Sequence, residues 1–236
     1  MATVRYDITK LILTPALITL IVTLLRLTGE LAGWSSTFFN REAGGGNAVV
    51  GIIWLIPVFG IYFAWQLAAA SQIEASGFRI IGFSALGLAI LILVYGIAGS
   101  LFGPYSPATV VLSALGAIVA TFAVRPGSFR LFSVLAAYAL AARIPIAIVM
   151  FFAITGKWGT HYDLVPAEFP EMGNSAKWVF AGLLPQMTIW IAFTVSLGGI
   201  FAGLTLLFVK WLVRSLVSGN FQQSYPKRKA KEELDL

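Results

Sequence analysis

Apolar residues run through this chain in long blocks, interrupted at intervals by short polar stretches. Six blocks stand out, near residues 11–31, 47–70, 80–101, 108–124, 131–154 and 179–209. Each is a candidate membrane span, since about 20 apolar residues in helical form cross a bilayer core. Alternating segments of about 10 residues, the mark of a transmembrane barrel, are missing from the pattern. The predicted fold is all-α: a polytopic transmembrane bundle of about six spans over residues 1–212, followed by a basic cytoplasmic tail over 213–236. Arg125-Pro-Gly-Ser-Phe-Arg130 predicts a tight turn joining spans four and five as a hairpin. The sixth block is too long for one straight crossing: the 33 steps from Lys177 to Lys210 make about 50 Å of helix, and Pro185 is expected to divide it.

Composition agrees with the blocks. Of 236 residues, 58% are hydrophobic and only 11% charged, and mean hydropathy is +0.87; a soluble domain carries roughly 25% charged residues. The first block is too long for a signal h-region, so it is expected to stay as an anchor. The chain has no cysteine, which excludes disulfides and thiolate metal sites. With these absences the expected location is a cell membrane of the bacterial inner-membrane kind. No cofactor, metal or nucleic-acid partner is expected.

Charge orients the blocks. With both termini inside, eleven of the 16 Lys and Arg residues fall on cytoplasmic segments (Arg5, Lys10, Arg79, Arg125, Arg130, Lys210, Arg214, Lys227, Arg228, Lys229, Lys231). Three fall outside: Arg41, Lys157 and Lys177. That bias predicts both termini in the cytoplasm. The tail cluster Pro226-Lys-Arg-Lys-Ala-Lys231 reads as an ordinary positive flank, with anionic headgroups as its alternative contact.

The two remaining arginines, Arg26 and Arg143, lie inside spans. Arg143 is 13 residues beyond Arg130, about 20 Å along a helix, which places it near mid-depth. Arginine keeps its charge, at a cost of about 2.5–3.5 kcal/mol at the centre of a span. Pro145 frees the carbonyl of Ala141, so a structural role is open to Arg143, with that carbonyl, Gln66 and Tyr138 as partners. Arg26 and Glu30 are i,i+4 neighbours on span one. Together Arg26, Glu30 and Arg143 sum to +1, and if they converge they form a site for a carboxylate, a phosphate or a lipid headgroup. These three are the candidate ligand-binding residues.

The connection over residues 155–177 holds the chain's single histidine, His161, with Asp163 two residues on and Glu168 and Glu171 beyond. Its prolines suit an ordered lid. A metal site would need three or four converging ligands, and a hydrolase would need a nucleophile beside His161; no motif marks one. Gly44-Gly45-Gly46 reads as a hinge, or as an anion-binding nest of N–H groups. Thr14-Pro15-Ala16 and Ser106-Pro107-Ala108 both look like helix starts and raise the question of an internal repeat. Small-residue stripes at Gly199–Gly203, at Gly60-Ala64-Ala68 and at Ser113-Gly116-Ala117-Ala120 read as helix-packing faces. Three functions follow in order: a transporter or channel-like protein, homo-oligomeric, handling an anionic solute or lipid near Arg143; an accessory or assembly subunit of a larger membrane complex; and a membrane-embedded enzyme using His161 and Asp163.

Overall fold

The computed structural model describes residues 7–46, 48–73 and 75–223, with side chains up to residue 216. Among the described residues it is all helical. In chain order the helices are α1 (Ile8–Leu31), a 3₁₀ turn (Ala43–Gly45), α2 (Leu55–Ala69), α3 (Gly77–Phe102), α4 (Pro107–Ala123), α5 (Phe129–Gly156) and α6 (Asn174–Lys177). Two π-helical stretches (Trp178–Leu183 and Pro185–Ile189) then lead into α7 (Trp190–Gln223). The basic cluster 226–231 lies outside the described residues.

Short polar residues start the helices by accepting otherwise orphaned N–H groups. Asp7 accepts from Thr9 N at 3.0 Å, and Ser76, Ser106 and Ser128 do the same for α3, α4 and α5. The Asp7 cap starts α1 well before Thr14-Pro15, so Pro15 lies inside the helix, whereas Pro107 opens α4. The two Pro motifs therefore occupy different positions in their helices, and the correspondence that raised an internal repeat is gone.

Four segments are long and apolar enough to cross a membrane: Ile8–Leu31, Gly77–Phe102, Phe129–Gly156 and Asn174–Leu216. Helices α2 and α4, at 15 and 17 residues, fall short of the ~20 that a straight crossing takes. The second block was expected to be helical from residue 47. Instead residues 48–54 turn irregularly, because Val49 N and Val50 N bond back to the carbonyls of Thr37 and Phe38 at 3.1 Å each. Helix α5 carries Pro145 without a break. Pro185 does not divide the last block either. The chain stays helical there by widening into π turns.

Helix α7 sits at the centre, packed against α2, α3, α4 and α5. Its small residues allow this. A Cβ on Gly60 of α2 would stand 2.5 Å from the carbonyl oxygen of Gly198, and one on Gly77 of α3 would stand equally close to that of Gly203. Backbone therefore meets backbone at both seams. Phe63, Leu67, Leu135, Tyr138 and Val195 fill the main core between α2, α5 and α7. Helix α1 packs chiefly on α5, and α4 packs on α3 and α7. A cavity opens between the α1–α5 pair and α4.

Candidate functional site

The cavity has a volume of about 620 Å³. Residues from the α1–α2, α3–α4 and α5–α6 connections all line it, so these three connections gather at one end of the bundle. Arg26 and Arg143 both reach its wall. The described lining residues include no acidic side chain.

The two arginines differ in how they are satisfied. Arg26, near the end of α1, donates from Nε to Glu30 Oε1 at 2.8 Å. Its Nη2 donates to the carbonyl of Gly45 at 2.9 Å and to that of Asn40 at 3.3 Å. Gly45 has φ +67°, and a Cβ there would sit 2.5 Å from His161 Cδ2; glycine is required both for the backbone angle and for the approach. The triple-glycine run thus presents a carbonyl to a cation.

Glu30 is fully buried and joins two distant parts of the chain. Besides Arg26 it accepts His161 N at 2.9 Å on Oε2 and His161 Nδ1 at 2.5 Å on Oε1. A carboxylate with these partners is satisfied, as a buried charge has to be. Burial pushes the pKa of His161 below its ordinary value of 6.5; Arg26 lowers it further, and the hydrogen bond to Glu30 pulls the other way. Burial outweighs that bond, and Nδ1, which faces the carboxylate, is the ring nitrogen that donates to Glu30. Tyr162 follows and donates to the carbonyl of Thr23 at 3.3 Å. These bonds fasten the α5–α6 connection to α1.

The pairing of His161 with Asp163 does not form. Asp163 turns into its own loop, where its carboxylate accepts Gly159 N at 2.9 Å, Thr160 N at 2.7 Å and Thr160 Oγ1 at 2.8 Å. The acid on His161 is Glu30, 131 positions away.

Arg143 is only 4% exposed and among the described residues has no carboxylate beside it. Nη1 donates to Gln186 Oε1 at 3.5 Å, and the guanidinium lies over the Trp190 ring at 4.7 Å. Its Nε is buried with no hydrogen-bond partner among the described residues. Neither Tyr138 nor the carbonyl freed by Pro145 takes this donor; the Tyr138 hydroxyl is bonded to Thr19 at 2.9 Å. Ser113 of α4, also in the cavity wall, has a buried Oγ with no partner among the described residues. Of the three predicted site residues, then, Arg26 and Arg143 share one cavity, and Glu30 is occupied in fastening Arg26 and His161. Gln186, Trp190, Ser113 and His161 complete the constellation. Gln186 had a signal in the sequence, as a polar side chain beside a proline within an apolar block; His161 stood out as the single histidine, Ser113 was read only as part of a packing face, and Trp190 had no signal.

These features define a class: an all-helical, multi-pass membrane protein whose bundle encloses a cavity with a buried, incompletely partnered arginine. No known protein family, curated protein or solved structure matches the chain.

Proposed function

We propose that this protein binds an anionic solute or lipid in the cavity, with the anion seated on Arg143. One observation carries the reading: a guanidinium 4% exposed, inside a span, whose Nε has no acceptor among the described residues. A buried charge is costly unless it is paired, and Gln186 at 3.5 Å is a poor substitute for a carboxylate. An anion on the cavity side completes the coordination of Arg143 and balances the surplus positive charge that remains once Glu30 and Arg26 cancel.

A path across the bilayer is a further step of the same reading. Helices α2 and α4 complete six passes with both termini cytoplasmic, as the eleven-to-three charge bias favours. The cavity then faces the outer side, closed by its three connections. Transport through so small a bundle calls for a second copy of the chain.

Native mass spectrometry of the protein, extracted in mild detergent, tests the assignment. The expected result is a retained anion of defined mass in the natural chain, lost in Arg143→Gln while the bundle stays folded. A stoichiometric protein partner with no bound anion in either form would instead make this chain an accessory subunit and Arg143 a structural group.

A further inference from the structure

We infer that the ligand is a single-chain amphiphilic anion, with a carboxylate or phosphate monoester head on one long apolar chain. This rests on the anion-site reading above and narrows it. Cavity size and wall chemistry carry it. At roughly 30 Å³ per water molecule, 620 Å³ equals the volume of about twenty waters. A bare inorganic anion fills a small part of that space and leaves the rest of the wall facing water. Much of the wall is apolar: Val110, Ile146, Ile154, Phe180 and Ile189 all contribute. Covering such a wall with a hydrocarbon chain is favourable in proportion to the area removed from water.

The polar groups are suited to a head. Nη1 of Arg143 is taken by Gln186. The edge made by Nε and Nη2 has no hydrogen bond among the described residues, and Nε is buried. That edge is a fork of parallel N–H groups, the geometry that holds a carboxylate or phosphate through two bonds at once. The Ser113 hydroxyl, fully buried and unbonded in the same cavity, supplies a further donor.

The route in is lateral. Two of the wall residues are also well exposed: Trp54 beside the start of α2, 66% exposed, and Tyr95 within α3, 43% exposed. In a bundle that crosses a membrane this surface meets lipid, and aromatic residues of this kind sit at the bilayer interface. A chain already dissolved in the bilayer enters beside such residues without crossing water.

The experiment uses the full chain in phosphatidylcholine nanodiscs and follows quenching of its tryptophans by dibrominated octadecanoate. Unlabelled competitors are hexadecanoate, hexadecyl phosphate, hexadecanol, octanoate and inorganic phosphate. Saturable quenching is expected, displaced by hexadecanoate or hexadecyl phosphate at least tenfold better than by hexadecanol, octanoate or inorganic phosphate. The order of the first two assigns the head. Arg143→Gln should weaken binding at least tenfold. Val110→Trp narrows the wall and leaves the charge alone, and it should shift preference toward octanoate; it serves also if Arg143→Gln does not fold. Displacement by inorganic phosphate as effective as by hexadecanoate overturns the amphiphile and keeps the anion site. Equal displacement by hexadecanol, unchanged in Arg143→Gln, overturns both. Absence of saturable quenching in the folded natural chain overturns the amphiphile, and a retained anion in native mass spectrometry then shows that the anion site survives it.

Discussion

Glu30 has three charge-assisted or polar contacts and no exposure to solvent. Removing its charge leaves Arg26 buried without its counter-ion, and breaking a buried pair from one side costs about 3–5 kcal/mol. Glu30→Gln should therefore lower thermal stability sharply, read as a fall in Tm in detergent. Glu30→Asp, one methylene shorter, should lose contact with His161 first. The same residues set a pH dependence. His161 is held below its ordinary pKa of 6.5, so the unfolded chain takes up the proton at a higher pH than the folded one. The stabilisation is fully present above pH 6.5 and is lost as pH falls from there toward the folded value. Arg26 and Asp163 face the same ring with opposite effects, and Arg26 sides with burial. Tm measured between pH 7.5 and pH 5 should fall, and His161→Asn should flatten the curve.

Among the elements, the α1–α2 connection depends on glycine chemistry. Gly45→Ala forces a side chain into a left-handed backbone and against His161; the backbone angle alone costs about 1–2 kcal/mol. Hydrogen exchange over residues 32–54 should accelerate, while α2 and α7 stay protected. A Gly60→Val change acts differently: its Cβ meets the Gly198 carbonyl, so α2 and α7 have to separate, and the whole bundle should lose stability by about 1–3 kcal/mol. How far these elements could be read beforehand follows from their physics. The apolar blocks, the Ser106 cap, the turn at residues 125–130 and the small-residue seams are local patterns, visible in a few adjacent letters. Arg26 and Arg143 stood out because charge is rare in an apolar block. The Glu30–His161 bond was invisible, since nothing local ties two residues 131 positions apart; nearby Asp163 was the tempting partner, and it is spent capping its own loop. The late start of α2 was hidden for a similar reason, because the bonds from Val49 and Val50 back to Thr37 and Phe38 compete with helix.

At the scale of the whole molecule, the proposed six passes put the Arg125–Arg130 turn and the residue 157–173 connection on opposite sides of the membrane. The natural chain has no cysteine, so a single one at Ser128 or at Glu168 reports its side without background. An impermeant maleimide applied to intact cells should label Glu168→Cys and spare Ser128→Cys until the membrane is opened. Labelling of both from outside, or of neither, would take α5 out of the membrane and sink the six-pass arrangement; a cysteine at Ser76, inside with six passes and outside when only the four long segments cross, separates those two.

The wide turns ahead of α7 have a mechanical consequence. A π turn closes its hydrogen bonds one residue further along than an α turn does, so each such stretch stores one surplus residue in the helical count. Were Pro185–Ile189 to rewind as ordinary α-helix with every residue kept, that surplus would go back into the turn. Everything upstream would then rotate by roughly 100° relative to Trp190, the angle one residue subtends in an α-helix. Gln186 would swing off Arg143 while Trp190 kept its place, so the spare residue works as a fixed gear tooth that sets which side chain meets the buried cation.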